Sequence, residues 1–134
     1  MTLLSRSFEA SVAIRAEIGY KLFVPDHYDG SRPWPIIVFL HGIKKRGSDI
    51  GLLDNYGLLK SAAGTREFPF LVLAPQCPAH SYWPAVRHEV LALLDGTMSE
   101  YNVDPAAVYL TGFSMGGNGA SELFRWLLSH KRSS

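Results

Sequence analysis

The 134-residue sequence predicts an α/β domain: a mostly parallel sheet with crossover helices and an antiparallel N-terminal edge. Three observations predict it. Residues 36–40, 68–74 and 108–110 are short, nearly continuous apolar runs, the pattern of strands covered on both faces. Each ends abruptly, at His41-Gly42, Pro75 and Thr111-Gly112. Between them lie segments with helical spacing, and buried strands alternating with helices imply parallel pairing through crossovers.

In chain order, Phe8, Val12 and Ile14 suggest a first strand with imperfect alternation, and Tyr20, Leu22 and Val24 a second, its hairpin partner. Residues 25–35, with Asp29-Gly30 and prolines, form a turn region before the first buried strand. A helix is expected over 52–63, weakened by Gly57. A stronger one spans 84–101, where Val86, Val90, Leu93 and Leu94 share a face. Residues 102–105 stop it and lead into the third buried strand. A last helix is expected over 115–130, with Leu123, Phe124, Leu127 and Leu128 as its buried stripe.

Composition narrows the function classes. Hydrophobic residues at 47% and charged residues at 19% exclude a disordered chain. A net charge of +1, from 13 basic and 12 acidic residues, leaves no reason to expect nucleic acid or an anionic membrane as partner. No apolar run approaches the roughly 20 residues that a membrane helix needs, and the first ten residues lack the apolar core of a signal peptide. The lone Cys77 precludes an intramolecular disulfide and a cysteine-rich metal site. The expectation is one cytoplasmic domain over 1–134, with no cofactor and no metal.

The chemistry gathers where the third buried strand ends. Gly112-Phe113-Ser114-Met115-Gly116 is a G-x-S-x-G run set between a strand and a helix. A serine hydroxyl needs exposure and a base to act as a nucleophile. A sharp strand-to-helix turn supplies the exposure, and glycines two residues away permit close backbone approach. Ser114 is therefore the candidate nucleophile. An oxyanion needs two N–H donors, one from the residue after the nucleophile and one from the loop after an earlier strand. Met115 and Ile43 fill those positions. His41, leaving its strand beside that loop, reads as a structural hydrogen-bonding group rather than a base.

Further runs accompany these: Leu40-His41-Gly42, Arg46-Gly47-Ser48-Asp49, Ala74-Pro75-Gln76-Cys77-Pro78, Trp83, Tyr101-Asn102-Val103-Asp104 and 109–120. Together they resemble the phospholipase/carboxylesterase-type "predicted peptidase" group of α/β-hydrolases, whose relatives include feruloyl-esterase-like and polyhydroxybutyrate-depolymerase-like esterases. The resemblance covers roughly residues 19–122. It implies a carboxylic-ester hydrolase acting on a small-molecule ester through an acyl-enzyme, with Ser114 as nucleophile and Met115 and Ile43 as oxyanion donors. It also implies that Gln76 and Trp83 lie near the substrate pocket. A peptidase or thioesterase could use the same machinery.

Two departures stand out. Where the family loop has a small residue and then glycine and glutamate, this chain has Ile43-Lys44-Lys45 before Arg46-Gly47. Lys44 in place of a glycine would be strained at positive φ, and the basic run reads as a solvated loop or as an entrance favouring anionic substrates. In this fold the triad runs Ser, acid, His, yet only Glu122 and His130 follow, both on the expected last helix. Sixteen residues of helix would put His130 about 24 Å from Ser114, too far for a base. Upstream, His27, His80 and His88 would break the usual order. The expectation is thus the N-terminal part of a truncated α/β-hydrolase domain, either an esterase by descent or a catalytically inactive fragment or pseudoenzyme, with an apolar sheet edge on which another copy could pair.

Overall fold

The computed structural model describes residues 2–54, 56–113, 116, 117 and 125. Four strands form one mixed sheet: β1 (Tyr20–Phe23), β2 (Trp34–Leu40), β3 (Leu71–Pro75) and β4 (Val103–Gly112), in the order β1-β3-β2-β4. β2 runs parallel to both β3 and β4, while β1 lies antiparallel on β3, with Tyr20 opposite Pro75. The described helices are α1 (Gly57–Ala63) and α2 (Arg87–Glu100). This is the predicted α/β architecture.

Both faces of the central strands are covered, which is why they lack alternation. On one side Ile36, Val38 and Leu40 of β2 join Leu71 and Leu73 of β3 against Val90 and Leu94 of α2. On the other, Phe39 and Val72 meet Ala62 of α1. The α2 stripe is Val90, Leu94 and Thr97, spaced four and three residues apart as a helix face requires.

Several expectations are corrected. Residues 2–19 form no strand, and Phe8 is 94% exposed. The expected hairpin is absent and β1 takes β3 as its antiparallel partner; a strand at 8–14 would have had only the four-residue outer edge of β1 to pair with. The helix expected over 52–63 is split. A 3-10 turn over Ile50–Leu53 precedes α1, which opens at Gly57 with φ of 54°. A Cβ there would come within 2.6 Å of the Phe39 ring, so glycine is required both by conformation and by space.

The helix expected from residue 84 opens as a 3-10 turn, Trp83–Val86, before α2. β4 starts earlier than expected. Its register against β2 jumps from Trp34↔Val103 to Ile36↔Val108, so residues 104–107 bulge and the regular strand begins at Val108. Pro105 is tolerated in that bulge. The helix expected over 115–130, with Glu122 and His130, lies outside the described residues. No described helix is long and apolar enough to cross a membrane.

Candidate active site

The C-terminal ends of the three parallel strands meet at one edge of the sheet, Leu40 opposite Gly112 and Val38 opposite Leu73. Loops leaving that edge converge, as expected where open α/β sheets hold ligands. Ser114 and Met115 lie outside the described residues, but the residues bracketing them are placed. Phe113 N–H donates to the Leu40 carbonyl at 3.2 Å, and Gly116 N–H donates back to the Phe113 carbonyl at 2.9 Å. The latter is a bond between residues three apart, which marks a tight turn.

The two motif glycines are held at backbone contact. A Cβ on Gly112 would overlap the Gly116 carbonyl group, and one on Gly116 would overlap the Leu40 carbonyl and approach His41 O at 2.8 Å. Any side chain at either position would displace main chain rather than a flexible side chain. The two glycines of the run are thus pressed against the end of β2, beside the segment that begins at His41.

That segment is pinned from the β3 side. His41 is buried at 1% exposure, with Nδ1 2.6 Å from the Gly42 carbonyl and Nε2 accepting from Cys77 N–H at 2.9 Å. Gln76 donates from its amide nitrogen to Lys45 O at 2.9 Å and to Asp49 O at 2.8 Å. Gly47 N–H reaches the Cys77 carbonyl at 2.9 Å. Trp83, 1% exposed, donates its indole N–H to His41 O at 3.1 Å and tilts its ring against the imidazole at 4.9 Å.

Gln76 and Trp83 therefore sit next to the expected site, but buried and facing the loop. Gln76 has its amide nitrogen committed to two carbonyls and Trp83 its indole N–H to a third. Their contacts are those of loop supports rather than of ligand-facing groups. Ile43 starts a 3-10 turn, Ile43–Lys45, with its side chain exposed, and among the described residues its N–H meets no acceptor. Lys44 has no left-handed backbone, so the expected strain is absent; Gly47, at φ 132°, takes the unusual conformation instead.

Tyr56 and Arg46 carry roles that sequence reasoning did not assign. The Tyr56 hydroxyl accepts from Gly42 N–H at 3.4 Å, and Lys45 Nζ lies over its ring at 4.8 Å. Arg46 donates to Ser81 O at 2.9 Å and covers the Tyr82 ring at 5.1 Å. The R-G-S-D run was visible, but its reach across to residues 81 and 82 has no local signal.

Electrostatics favour a neutral interior. Burial pushes the Cys77 thiol up to about 11, so it is a packed thiol. Burial also lowers the His41 pKa below the ordinary 6.5, and Arg46 and Lys45 add to that. Of the other histidines, His27 lies edge-on to Trp34 at 4.9 Å, toward the opposite end of β2, and His80 is exposed at φ 62°. His88 is on α2. No group of three or more potential metal ligands gathers among the described residues.

No protein-family model matches the chain. Its sequence is 33% identical over 112 residues to a "probable feruloyl esterase C" from Aspergillus niger, a match covering 73% of this chain and 37% of that protein. Its fold superposes on a thermostable esterase with a TM-score of 0.62 and 32% identity, covering 76% of this chain and 32% of that one. These likenesses point to an α/β-hydrolase esterase family. A thermophilic esterase from Thermogutta terrifontis, solved with propionate bound, matches in fold alone. The TM-score is 0.56 at 15% identity, covering 79% of this chain and 44% of that one. The chain spans between about a third and under a half of the length of these proteins.

Proposed function

We propose that Ser114 is the nucleophile of carboxylic-ester hydrolysis, with the N–H groups of Met115 and Ile43 as oxyanion donors. The observation that carries this reading is the contact of Gly112 and Gly116 with each other and with Leu40. Two glycines so placed support a strand-to-helix turn for the serine between them, beside a loop whose Ile43 N–H meets no acceptor among the described residues.

In this reading the Ser114 hydroxyl attacks the ester carbonyl and a base takes its proton. The carbonyl oxygen becomes an oxyanion, stabilised by the two N–H groups. Collapse expels the alcohol and leaves an acyl-serine, which water then cleaves to the acid. The base is not His41, whose two ring nitrogens are both bonded to main chain. Gln76 and Trp83 serve by holding the oxyanion loop. The relatives direct the choice of substrate to small-molecule esters, a feruloyl ester first among them, and thioesters and peptide substrates would test the other acyl transfers the site could perform. A cytoplasmic location and pairing of a second copy along β4 also belong to this proposal.

A second reading is favoured by one observation: His41, the imidazole placed beside the site among the described residues, is committed to structure. A module that keeps the loop but lacks a working triad would look the same. A fluorophosphonate probe separates the two. Rapid labelling of the wild-type chain, abolished in Ser114→Ala, is expected for the esterase; a folded wild-type chain that does not label overturns the catalytic reading for these residues.

A further inference from the structure

His41 stands where three segments join, and its hydrogen bonds leave its proton one place to be. Nε2 accepts from Cys77 N–H, so it presents a lone pair. Nδ1 therefore carries the proton and donates to the Gly42 carbonyl. The other tautomer would set a lone pair against the Gly42 oxygen and an N–H against the Cys77 N–H. The ring is held in place by Trp83, which packs on it and bonds the His41 carbonyl.

The consequence falls on the next peptide. The Gly42 carbonyl and the Ile43 N–H belong to one planar trans peptide and point in opposite directions. The Gly42 oxygen is held by His41 Nδ1 at 2.6 Å and by Lys45 N–H at 3.2 Å. Fixing that oxygen fixes where the Ile43 N–H points. We propose that His41 is a positioning residue, which locks the Gly42–Ile43 peptide plane as the neutral Nδ1–H tautomer and so aims the Ile43 N–H at the oxyanion. The purpose of that aim rests on the ester-hydrolysis reading; the lock itself does not.

Protonation would test the lock from within, because a charged ring places a second N–H against Cys77 N–H. The groups facing the ring are Lys45 and Arg46 from the turn after β2, the neutral Cys77 after β3, and the uncharged Trp83. Burial first, and then the two cations, hold its pKa below 6.5, against the opposing pull of the Gly42 bond. With a folded-state pKa below the unfolded one, the stabilisation is whole above about pH 6.5 and is lost as pH falls through the folded value. The lock is therefore intact at neutral pH.

Nitrogen NMR of the full chain with ring-labelled histidine gives the primary test. At pH 7.5, His41 should show a protonated Nδ1 and a bare Nε2. On acidification its ring should titrate below 6.5, and the Ile43 amide resonance should move with it. An Nε2–H tautomer, or an Ile43 amide unmoved when the ring protonates, overturns the proposal.

Two variants extend the test. In His41→Asn the side-chain amide can still donate to Gly42 O. In His41→Gln the longer side chain reaches Cys77 N–H instead. Fluorophosphonate labelling of Ser114 should stay within about tenfold of wild type in the first and slow by about 10²–10³-fold in the second, the loss lying in the saturating rate and not in probe affinity. Equal losses in both, tracking thermal stability, would reduce His41 to general support and overturn the proposal. A wild-type chain that fails to label refutes the ester-hydrolysis reading, while the ring tautomer and the Ile43 amide still decide the lock.

Discussion

The loop after β2 and the segment before β1 are opposites in composition and in outcome. Residues 41–49 are mostly polar, yet they are anchored by His41, Gln76 and Trp83 through hydrogen bonds that cross some thirty to forty residues of sequence. Residues 2–19 hold Leu3, Leu4, Phe8, Val12 and Ile14, yet all five of these side chains are exposed. Apolar character orders a segment only where a surface exists to bury it, whereas a polar loop is ordered when each buried polar group finds a partner.

The largest way to break the ordered side of that comparison is Gly116→Ala. The added methyl would overlap the Leu40 carbonyl, which is main chain at the end of an inner strand and cannot turn aside. Overpacking of this kind costs about 1–3 kcal/mol and more when backbone must move. Chemical denaturation should show a loss of at least about 3 kcal/mol, together with lost labelling of Ser114. A variant with unchanged stability would mean that Gly116 and Leu40 are not in contact.

What the sequence made legible follows the same division. Strands covered on both faces announce themselves, and residues 36–40 lie within β2 as expected. The G-x-S-x-G run was legible because its spacing is a motif in itself, although the Leu40 carbonyl that excludes a side chain at Gly116 comes from β2. The split at Gly57 was half legible: the glycine was visible, but the Phe39 ring that requires it comes from β2. The bonds from Gln76 to Lys45 and Asp49 were not legible, since a glutamine's partners across the fold leave no periodicity to read. The same residue placed by resemblance near the substrate pocket proves to face the loop.

Gln76→Leu sharpens that point with a smaller effect. Leucine keeps much of the volume but strands two loop carbonyls, at a cost of about 1–3 kcal/mol. If Gln76 is a loop support, stability and saturating rate should fall while probe affinity stays near wild type. A rise in KM for ester substrates without loss of stability would return Gln76 to direct substrate contact.

The smallest effect is expected on the other side of the comparison. Replacing Phe8, Val12 and Ile14 together by serine removes three large apolar side chains, 94%, 78% and 60% exposed. A side chain already in water gives up little transfer free energy when it is truncated, and surface substitutions usually stay within about 0.5 kcal/mol each. The folded state should therefore keep its denaturation midpoint while its solubility rises, because the exposed apolar segment is the one most prone to associate. A loss of several kcal/mol would show instead that the segment folds onto the free edge of β1 in solution, as the hairpin suggested by its sequence. The triple variant thus decides whether the alternation in residues 8–14 is used by the fold or left idle.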